Sequence, residues 1–570
     1  MSVSPHADLR VEPFSRFGSY LNVVRQDDAT YPPSERHGLF LRHNHGTRFY
    51  DPLVAAITID GQPPLSQWDE AVLTLRPAEG GGGMVKIVFD GTQALRLCGE
   101  GCSLELSFFP APGASMYPGA EGGWEINARE CRRKVLLRAQ SGSLAAETDW
   151  QGEVSSHMLA RFTPGDDGTW QGALDFYQST WIPRQPRAFT KCEEEVRAEF
   201  ARYLAQTLPC DQQWSAMRRR AAYVNWSAVV EPCGLFRRPA MLMSKVWMSQ
   251  VWSWDHAFNA MALMPGDPQL AWDQMLLMAD RQNEHGAFPD AHNDVHEHFN
   301  FCKPPIHGWA LSHLRAQRPD FFTPERLRQA LSWLEPWTRW WLNHRLWEGD
   351  GLPVYLHGND SGWDNSTFFL QGVPVITPDL PTFLIVQCQE LADLHTQLGQ
   401  GHDAQHWRSQ AQRLFKLLMS TLWNGRRFIA LRMPDKRVVA ADTLIEATPL
   451  LLGELLPSDV RSTVVARLQR YLTTHGLATE HVDSPHYTPD GYWRGPIWAP
   501  STMLICDGLR RSGEPALAAD ISQRFVAMCA QSGFAENFNA QTGAPLRDKA
   551  YTWTASVALL LANQIAGAPR

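Results

Sequence analysis

The spacing of apolar residues changes once along this 570-residue chain, near residue 200, and that change restricts the fold more than any other feature. Before it, short runs alternate apolar and polar side chains, as in 53–60 (LVAAITID), 71–77 (AVLTLRP), 84–91 (MVKIVFDG), 104–112 (LELSFFPAP) and 134–142 (KVLLRAQSG). A period of two puts alternate side chains on opposite faces of a strand. Asp60-Gly61, Asp90-Gly91 and the glycine run 80–83 separate these runs as turns. Residues 1–200 are therefore predicted to form an antiparallel β-sandwich.

After about residue 205 the period becomes 3.6. Leu384, Cys388, Leu391, Leu394 and Leu398 share one helical face, and Gly399 follows as a stop. Trp407 to Leu422, Val460 to Leu472 and Leu517 to Met528 repeat the pattern. Thr323-Pro324 supplies an N-cap and a first-turn proline ahead of Leu327, Leu331 and Leu334, and Pro336 is expected to kink or end that helix. Residues 201–570 are predicted to be a helical domain of about ten to fourteen helices. The long connections 282–306, 347–381 and 473–500 are rich in Gly, Asp and aromatic residues, and long loops in a helical domain are where chemistry is expected.

Composition narrows the function. With 44% hydrophobic and 20% charged residues, a packed core is available and global disorder is excluded. The net charge of −8 and the lack of a basic run argue against a nucleic-acid partner. No apolar run approaches the ~18 residues of a membrane span. The first residues, MSVSPHADLRVEPFSRFG, carry no apolar signal core. The ten cysteines are scattered, with only Cys98 and Cys102 close, which suits reduced thiols in a cytoplasmic protein. Twenty-three tryptophans point to aromatic-walled sites of the kind that hold sugars.

Residues 357–366 (HGNDSGWDNS) hold Asp360 and Asp364 among Gly, Ser and Asn. Trp363 beside Asp364 would desolvate its carboxyl and favour the protonated form, as a general acid requires. The same run also suits an Asx-type turn with Asp as a cap. Glu536 stands alone among apolar residues in 533–543, either as a base holding a water or as an acceptor for backbone N–H groups. Residues 252–258 (WSWDHAF) and 492–498 (YWRGPIW) combine indoles with Asp255 and Arg494, a pattern that fits a pyranose and also an aromatic packing seam. Residues 303–310 lead into a helix and present Lys303 and Trp309. Asp290, His292, Asp294, His296 and His298 are metal-ligand types, but they share a face only if extended and lack helical HExxH spacing. They are read as a polar loop bordering the site, so no metal and no cofactor are expected. Nucleophile-elbow, phosphate-loop and dinucleotide fingerprints are absent from the sequence.

Taken in this order, the motifs resemble glycoside hydrolase family 63. The likeness is to its compact bacterial branch of α-glucosidases and mannosylglycerate or glucosylglycerate hydrolases, with family 37 trehalases more distant. It rests on Ser253–Phe258, Lys303-Pro304-Pro305, Ser361–Ser366, Tyr492–Trp498 and Glu536 onward, across roughly residues 250–555. The resemblance implies an (α/α)6 barrel and hydrolysis of an α-glycosidic bond with inversion. It implies Asp364 as general acid and Glu536 as general base. Trp254, Asp255, Gly362, Trp493 and Trp498 would line the sugar site, with Trp363, Asn365 and Arg494 beside them and Tyr492 nearer the leaving group. Lys303 replaces the family's usual Gln, and is expected either to read an anionic substrate group or to pair with a protein carboxylate. Thr367 and Ala499 stand where relatives commonly have Pro. The expected activity is hydrolysis of a small α-glucoside or oligosaccharide. The alternatives are a mannosylglycerate, glucosylglycerate or trehalose-type hydrolase, a phosphorylase, and an inactive sugar-binding relative.

Overall fold

The computed structural model describes residues 8–33, 35–47, 52–78, 82–119, 122–349 and 351–567. Within these, two antiparallel sheets make up the N-terminal part. The seven-stranded sheet runs, in spatial order, Phe14–Ser15, Leu21–Gln26, Gly38–His43, Val54–Ile59, Leu104–Phe108, Met158–Thr163 and Ser143–Thr148. The eight-stranded sheet runs Ser115–Pro118, Trp124–Ala128, Arg133–Ser141, Thr169–Tyr177, Ala94–Glu100, Met84–Phe89, Val72–Arg76 and Leu65–Trp68. The alternation in the sequence becomes alternation in burial: Leu104, Leu106 and Phe108 face the core, while Glu105 and Ser107 do not. Asp60 and Gly61 turn the chain with φ of 48° and 76°, the left-handed pair that a tight hairpin demands.

Twelve helices follow among the described residues: α1 (Phe189–Gln206), α2 (Ser215–Ala228), α3 (Asp255–Leu263), α4 (Pro268–Ala279), α5 (His307–Gln317), α6 (Pro324–His344), α7 (Asp379–Gln397), α8 (Gly401–Leu422), α9 (Ser458–Leu468), α10 (Ala499–Arg511), α11 (Pro515–Ser532) and α12 (Thr552–Ala566). A 3₁₀ segment, Leu444–Leu455, lies between α8 and α9. α3, α5, α7, this segment, α10 and α12 each pack on the next, and α12 packs back on α3, so the inner ring closes. α2, α4, α6, α8, α9 and α11 pack outside it. This is an (α/α)6 barrel.

The two rings differ in sequence because they differ in surroundings. Every residue of α3 is buried. In the outer helix α8 only Ala404, Trp407, Ala411, Leu414, Leu418 and Leu422 are, one stripe at helical spacing. The first α-helix begins at Phe189, earlier than the change in pattern suggested. Cys192, Val196 and Phe200 of α1 belong to the sandwich's core, together with Tyr223 and Trp226 of α2. Pro336 neither ends nor breaks α6, which runs on to His344. Trp333, Trp337 and Trp341 are buried on both sides of the proline, so packing outweighs the one backbone bond that the ring removes.

Inner and outer helices alternate along the chain, so every segment leading into an inner helix opens on the same rim. Five of the six segments, 252–254, 303–306, 357–378, 478–498 and 536–551, carry the motifs, and the sixth, 423–443, leads into the inner 3₁₀ segment. The sandwich is fixed to this rim by polar contacts. Lys245 Nζ donates to Ser15 Oγ at 3.1 Å and to the Ser19 carbonyl at 2.5 Å, Arg42 donates to the Val246 carbonyl at 2.9 Å, and His45 Nδ1 lies 2.6 Å from Asp294 Oδ2.

Candidate active site

The two aspartates of 357–366 have different surroundings. Asp360 is 1% exposed and accepts hydrogen bonds from Cys302 N, Leu356 N, His357 N and Arg345 Nη1 at 2.9–3.2 Å. It is the cap that holds the loop. Asp364 has a side chain 27% exposed, with Lys303 Nζ 3.8 Å from its Oδ1. Burial among protein groups raises its pKa, and the Lys303 charge opposes the rise. The loop is shaped by close approach. Gly362 has φ 73°, and a Cβ there would lie 2.6 Å from Trp254 Cε2, so the backbone rests on the indole.

Lys303 is 5% exposed. Its Nζ donates to the Asn359 carbonyl at 2.7 Å and lies 3.1 Å from Asp290 Oδ1. Its neighbours are thus protein acceptors, which is the second of the two roles expected for it. The Asp364, Asp290 and Asp255 charges outweigh the cost of burial and push Lys303 up to about 12. Asp255, at the start of α3, accepts from Tyr551 Oη at 3.2 Å, and burial pushes it up to about 7.

Glu536 is 2% exposed and accepts from Tyr492 Oη at 2.9 Å. Burial and the nearby Asp548 charge push it up to about 8, against the Tyr492 hydrogen bond and the Arg547 charge. Tyr492 joins the two carboxyl sites: burial raises its pKa, and the charges of Glu536, Asp364 and Asp255 raise it further. Asn365 joins the backbones. Its Nδ2 donates to the Gly491 carbonyl at 3.0 Å, and its Oδ1 accepts from Trp493 N at 2.9 Å. Both ends of that amide bond the protein backbone, so Asn365 clamps the Asp364 loop to the Tyr492 loop.

The indoles form a layer behind these groups. Trp493 and Trp498 stack at 3.9 Å and 8°, Trp363 lies 4.8 Å and Trp254 6.0 Å from Trp493, and Trp553 lies 5.6 Å from both Trp254 and Trp498. Trp254, Trp363, Trp493 and Trp498 are each 1% exposed, so most of their area supports the site from beneath. Trp309 stands apart. It is fully buried, and its indole N–H donates to Asp507 on α10 at 2.7 Å, a link between inner helices. Arg494 is half-buried, with a buried Nε that lacks a partner among the described residues.

The Asp290–His298 run does not present one face. Asp290 and His292 are buried, Asp294 turns to His45 and the Gly46 amide, and His296 and His298 are exposed. Sequence reasoning passed over four residues of the site. Tyr551 bonds Asp255, Asp548 and Arg547 act on Glu536, and Glu480 accepts from Thr367 Oγ1 at 2.7 Å behind the Asp364 loop. Tyr551 was findable: it directly precedes inner helix α12, as Trp254 directly precedes α3.

A closed helical barrel whose rim gathers acid groups over an indole layer is an architecture of glycosidases. The mannosylglycerate hydrolase MGH1-like glycoside hydrolase domain matches residues 248–554. The chain belongs to this family, a glycoside hydrolase family of the family 63 type. Among relatives, the mannosylglycerate hydrolase of Thermus thermophilus is 22% identical over 54% of this chain and 93% of its own. The glucosylglycerate hydrolase of Mycolicibacterium hassiacum is 24% identical over 54% of this chain and 91% of its own. The crystal structure of the Thermus thermophilus family 63 mannosylglycerate hydrolase with glucose aligns with a TM-score of 0.54, covering 60% of this chain and 99% of that one at 21% identity. A bacterial glucoamylase bound to acarbose aligns over 99% of this chain and 94% of its own, with a TM-score of 0.65 at 10% identity, so the two-part architecture recurs there. No helix among the described residues is long and apolar enough to cross a membrane.

Proposed function

We propose that this glycoside hydrolase cleaves an α-glucosidic bond in a small α-glucoside with inversion, Asp364 acting as general acid and Glu536 as general base. The observation that carries this reading is Tyr492, which donates to Glu536 while standing in the field of Asp364. An inverting site needs two carboxyls about 6.5–9.5 Å apart, with a water between the base and the anomeric carbon. Glu536 takes a proton from that water as its oxygen bonds to the anomeric carbon. The bond to the glycosidic oxygen breaks, and Asp364 protonates the departing oxygen. The released sugar is the β-anomer. Trp254, Trp493 and Trp498 back the sugar, and Asp255 accepts from its hydroxyls. The reading takes residues 1–200 and 201–570 as two domains, sets the enzyme in the cytoplasm, and requires no cofactor.

A second reading is favoured by the relatives, which are named for mannosylglycerate and glucosylglycerate: the same site cleaving a glycosylglycerate. Trehalose is a third substrate, named in more distant relatives. Proton NMR of the first product from a panel of these α-glycosides tests the reading. An initial β-anomer is expected, and an initial α-anomer would refute inversion. Asp364→Asn and Glu536→Gln are each expected to lower kcat by about 10²–10⁴, as loss of an acid or base does. Turnover retained by both would remove the assignment, and phosphate-dependent turnover would make the enzyme a phosphorylase.

A further inference from the structure

The sandwich meets the barrel through a cluster of metal-ligand side chains remote from one another in sequence. His45 follows strand Gly38–His43, Cys233 follows α2, and Asp294 lies between the short strands Ala291–His292 and Glu297–His298. One side-chain ligand atom from each of the three lies within 4.8 Å of the other two. His45 and Asp294 are 4% and 6% exposed, and Cys233 is half-buried. The Asp290–His298 run thus sends a single residue, Asp294, to the cluster, and its two companions arrive from distant parts of the chain.

Hydrogen bonding leaves this cluster incomplete. His45 Nδ1 lies 2.6 Å from Asp294 Oδ2, while its Nε2 is buried without a partner among the described residues. Buried polar atoms are nearly always paired, so such a nitrogen points to a ligand. The Cys233 thiol meets Arg133 Nη2 at 3.8 Å and no other polar partner among the described residues. The backbone fixes all three positions. A Cβ on Gly234 would lie 2.0 Å from the Asp294 carbonyl oxygen, to which Leu235 N also donates at 2.8 Å. Gly46 N donates to Asp294 Oδ1 at 2.9 Å, from a residue with φ of 67°. The Tyr20 and His43 rings stack against His45 with centroids 4.1 and 4.2 Å away. Side chains held by packing and backbone contacts in this way are preorganised for a ligand.

We propose that His45, Cys233 and Asp294 bind one thiophilic divalent cation of the zinc class, which clips the sandwich to the barrel rim. Thiolate, imidazole and carboxylate together select such an ion over Ca²⁺ and Mg²⁺, which take oxygen ligands. At metal–ligand distances of about 2.0–2.3 Å, tetrahedral donors stand roughly 3.3–3.8 Å apart, so the cluster contracts by about 1 Å around the ion. Binding releases the Cys233 thiol proton, and a water fills the fourth position. The ion seats on the same hairpin as Asp290, whose Oδ1 lies 3.1 Å from Lys303 Nζ. It takes no part in the hydrolysis above, and the site stands whether or not that reading does.

The test uses the full chain, stripped with a chelator and kept reduced. Competition with a chromophoric chelator measures Zn²⁺ stoichiometry and affinity, Co²⁺ spectra report a thiolate ligand, and melting curves report folding. Wild type and Cys210→Ser, which alters a half-buried cysteine outside the cluster, are expected to bind one Zn²⁺ per chain and to melt higher with it. Their Co²⁺ forms should show thiolate-to-metal charge transfer and the visible bands of a tetrahedral site, and Ca²⁺ and Mg²⁺ should leave the melting temperature unchanged. Cys233→Ser and His45→Gln should weaken Zn²⁺ binding by more than about a hundredfold, beyond what loss of an outer-shell partner costs, and should lose the melting shift. Cys233→Ser should also lose the charge-transfer band. Wild type that binds no Zn²⁺, a Co²⁺ form without that band, a melting shift with Ca²⁺ equal to that with Zn²⁺, or unchanged Zn²⁺ affinity in Cys233→Ser would each overturn the site. Cys233→Ser is the milder substitution, and it decides the matter if His45→Gln fails to fold.

Discussion

Tyr492, with φ of 62°, connects a strained backbone to the protonation of Glu536. Its hydroxyl bonds the ionised carboxylate and so opposes burial and the Asp548 charge, which together still leave the pKa pushed up to about 8. Tyr492→Phe removes that donor. The proton then leaves Glu536 less readily, and the acidic limb of the kcat/KM–pH profile should move up by about one unit, since a bond to a charged group contributes about 1.5 kcal/mol or more and a unit is 1.36 kcal/mol. An unmoved limb would detach Glu536 from that limb. Gly362 tests packing at the same scale. A Cβ placed 2.6 Å from the Trp254 ring, at a φ of 73°, must displace either the indole or the Asp364 loop. Gly362→Ala should cost about 2 kcal/mol or more in urea denaturation, from overpacking combined with backbone strain.

Between elements, the clamp made by Asn365 decides how rigidly two loops share one geometry. Asn365→Ala frees the Gly491 carbonyl and the Trp493 amide, whose partner is lost. Because a small misplacement costs catalysis more than stability, kcat should fall about tenfold or more while the melting temperature drops only a few degrees. Stopped-flow or steady-state rates set beside melting curves would decide this. Elements also explain what the sequence made legible. Outer helices such as α8 and α11 showed their period because one face meets water. α3 and α12 are buried almost all round, so no stripe marks them, and the inner 3₁₀ segment with Pro449 reads merely as apolar. The motif segments could be read because Asp, Gly and Trp cluster there for reasons local to each loop. Which Asp serves as a cap could not be read: Asp360 and Asp364 differ only in what the fold brings to them. Cys233 left no trace, since its neighbours His45 and Asp294 lie far from it along the chain.

Across the whole molecule, buried ionisable groups set the pH range of stability. Glu480 and Asp255 are pushed up to about 7 and Glu536 to about 8. These folded values exceed the unfolded ones near 4, so their contribution is fully present below about pH 4 and is lost as pH rises through 7 to 8. Buried His256 and His292, held down to about 4 and about 3, act in the opposite sense and lose stability as pH falls below about 6.5. The contribution of these three carboxyls to the melting temperature should therefore decline from pH 6.5 to 8, against buried Lys245, whose pKa burial holds well below its ordinary value and whose contribution rises with pH. Glu480→Gln, in a fully buried site bonded by Thr367 and Ser484, should flatten that decline in calorimetric scans. A slope unchanged in the variant would show that other groups control it. The ring itself closes late in the sequence. Asn259 of α3 donates to Thr552 of α12 across 293 residues, and Ser556 of α12 donates back to Asn259. On a ribosome the sandwich can fold first, whereas the barrel has no complete wall until α12 clears the exit tunnel. A nascent chain is therefore inert until α12 has been made and has packed back on α3.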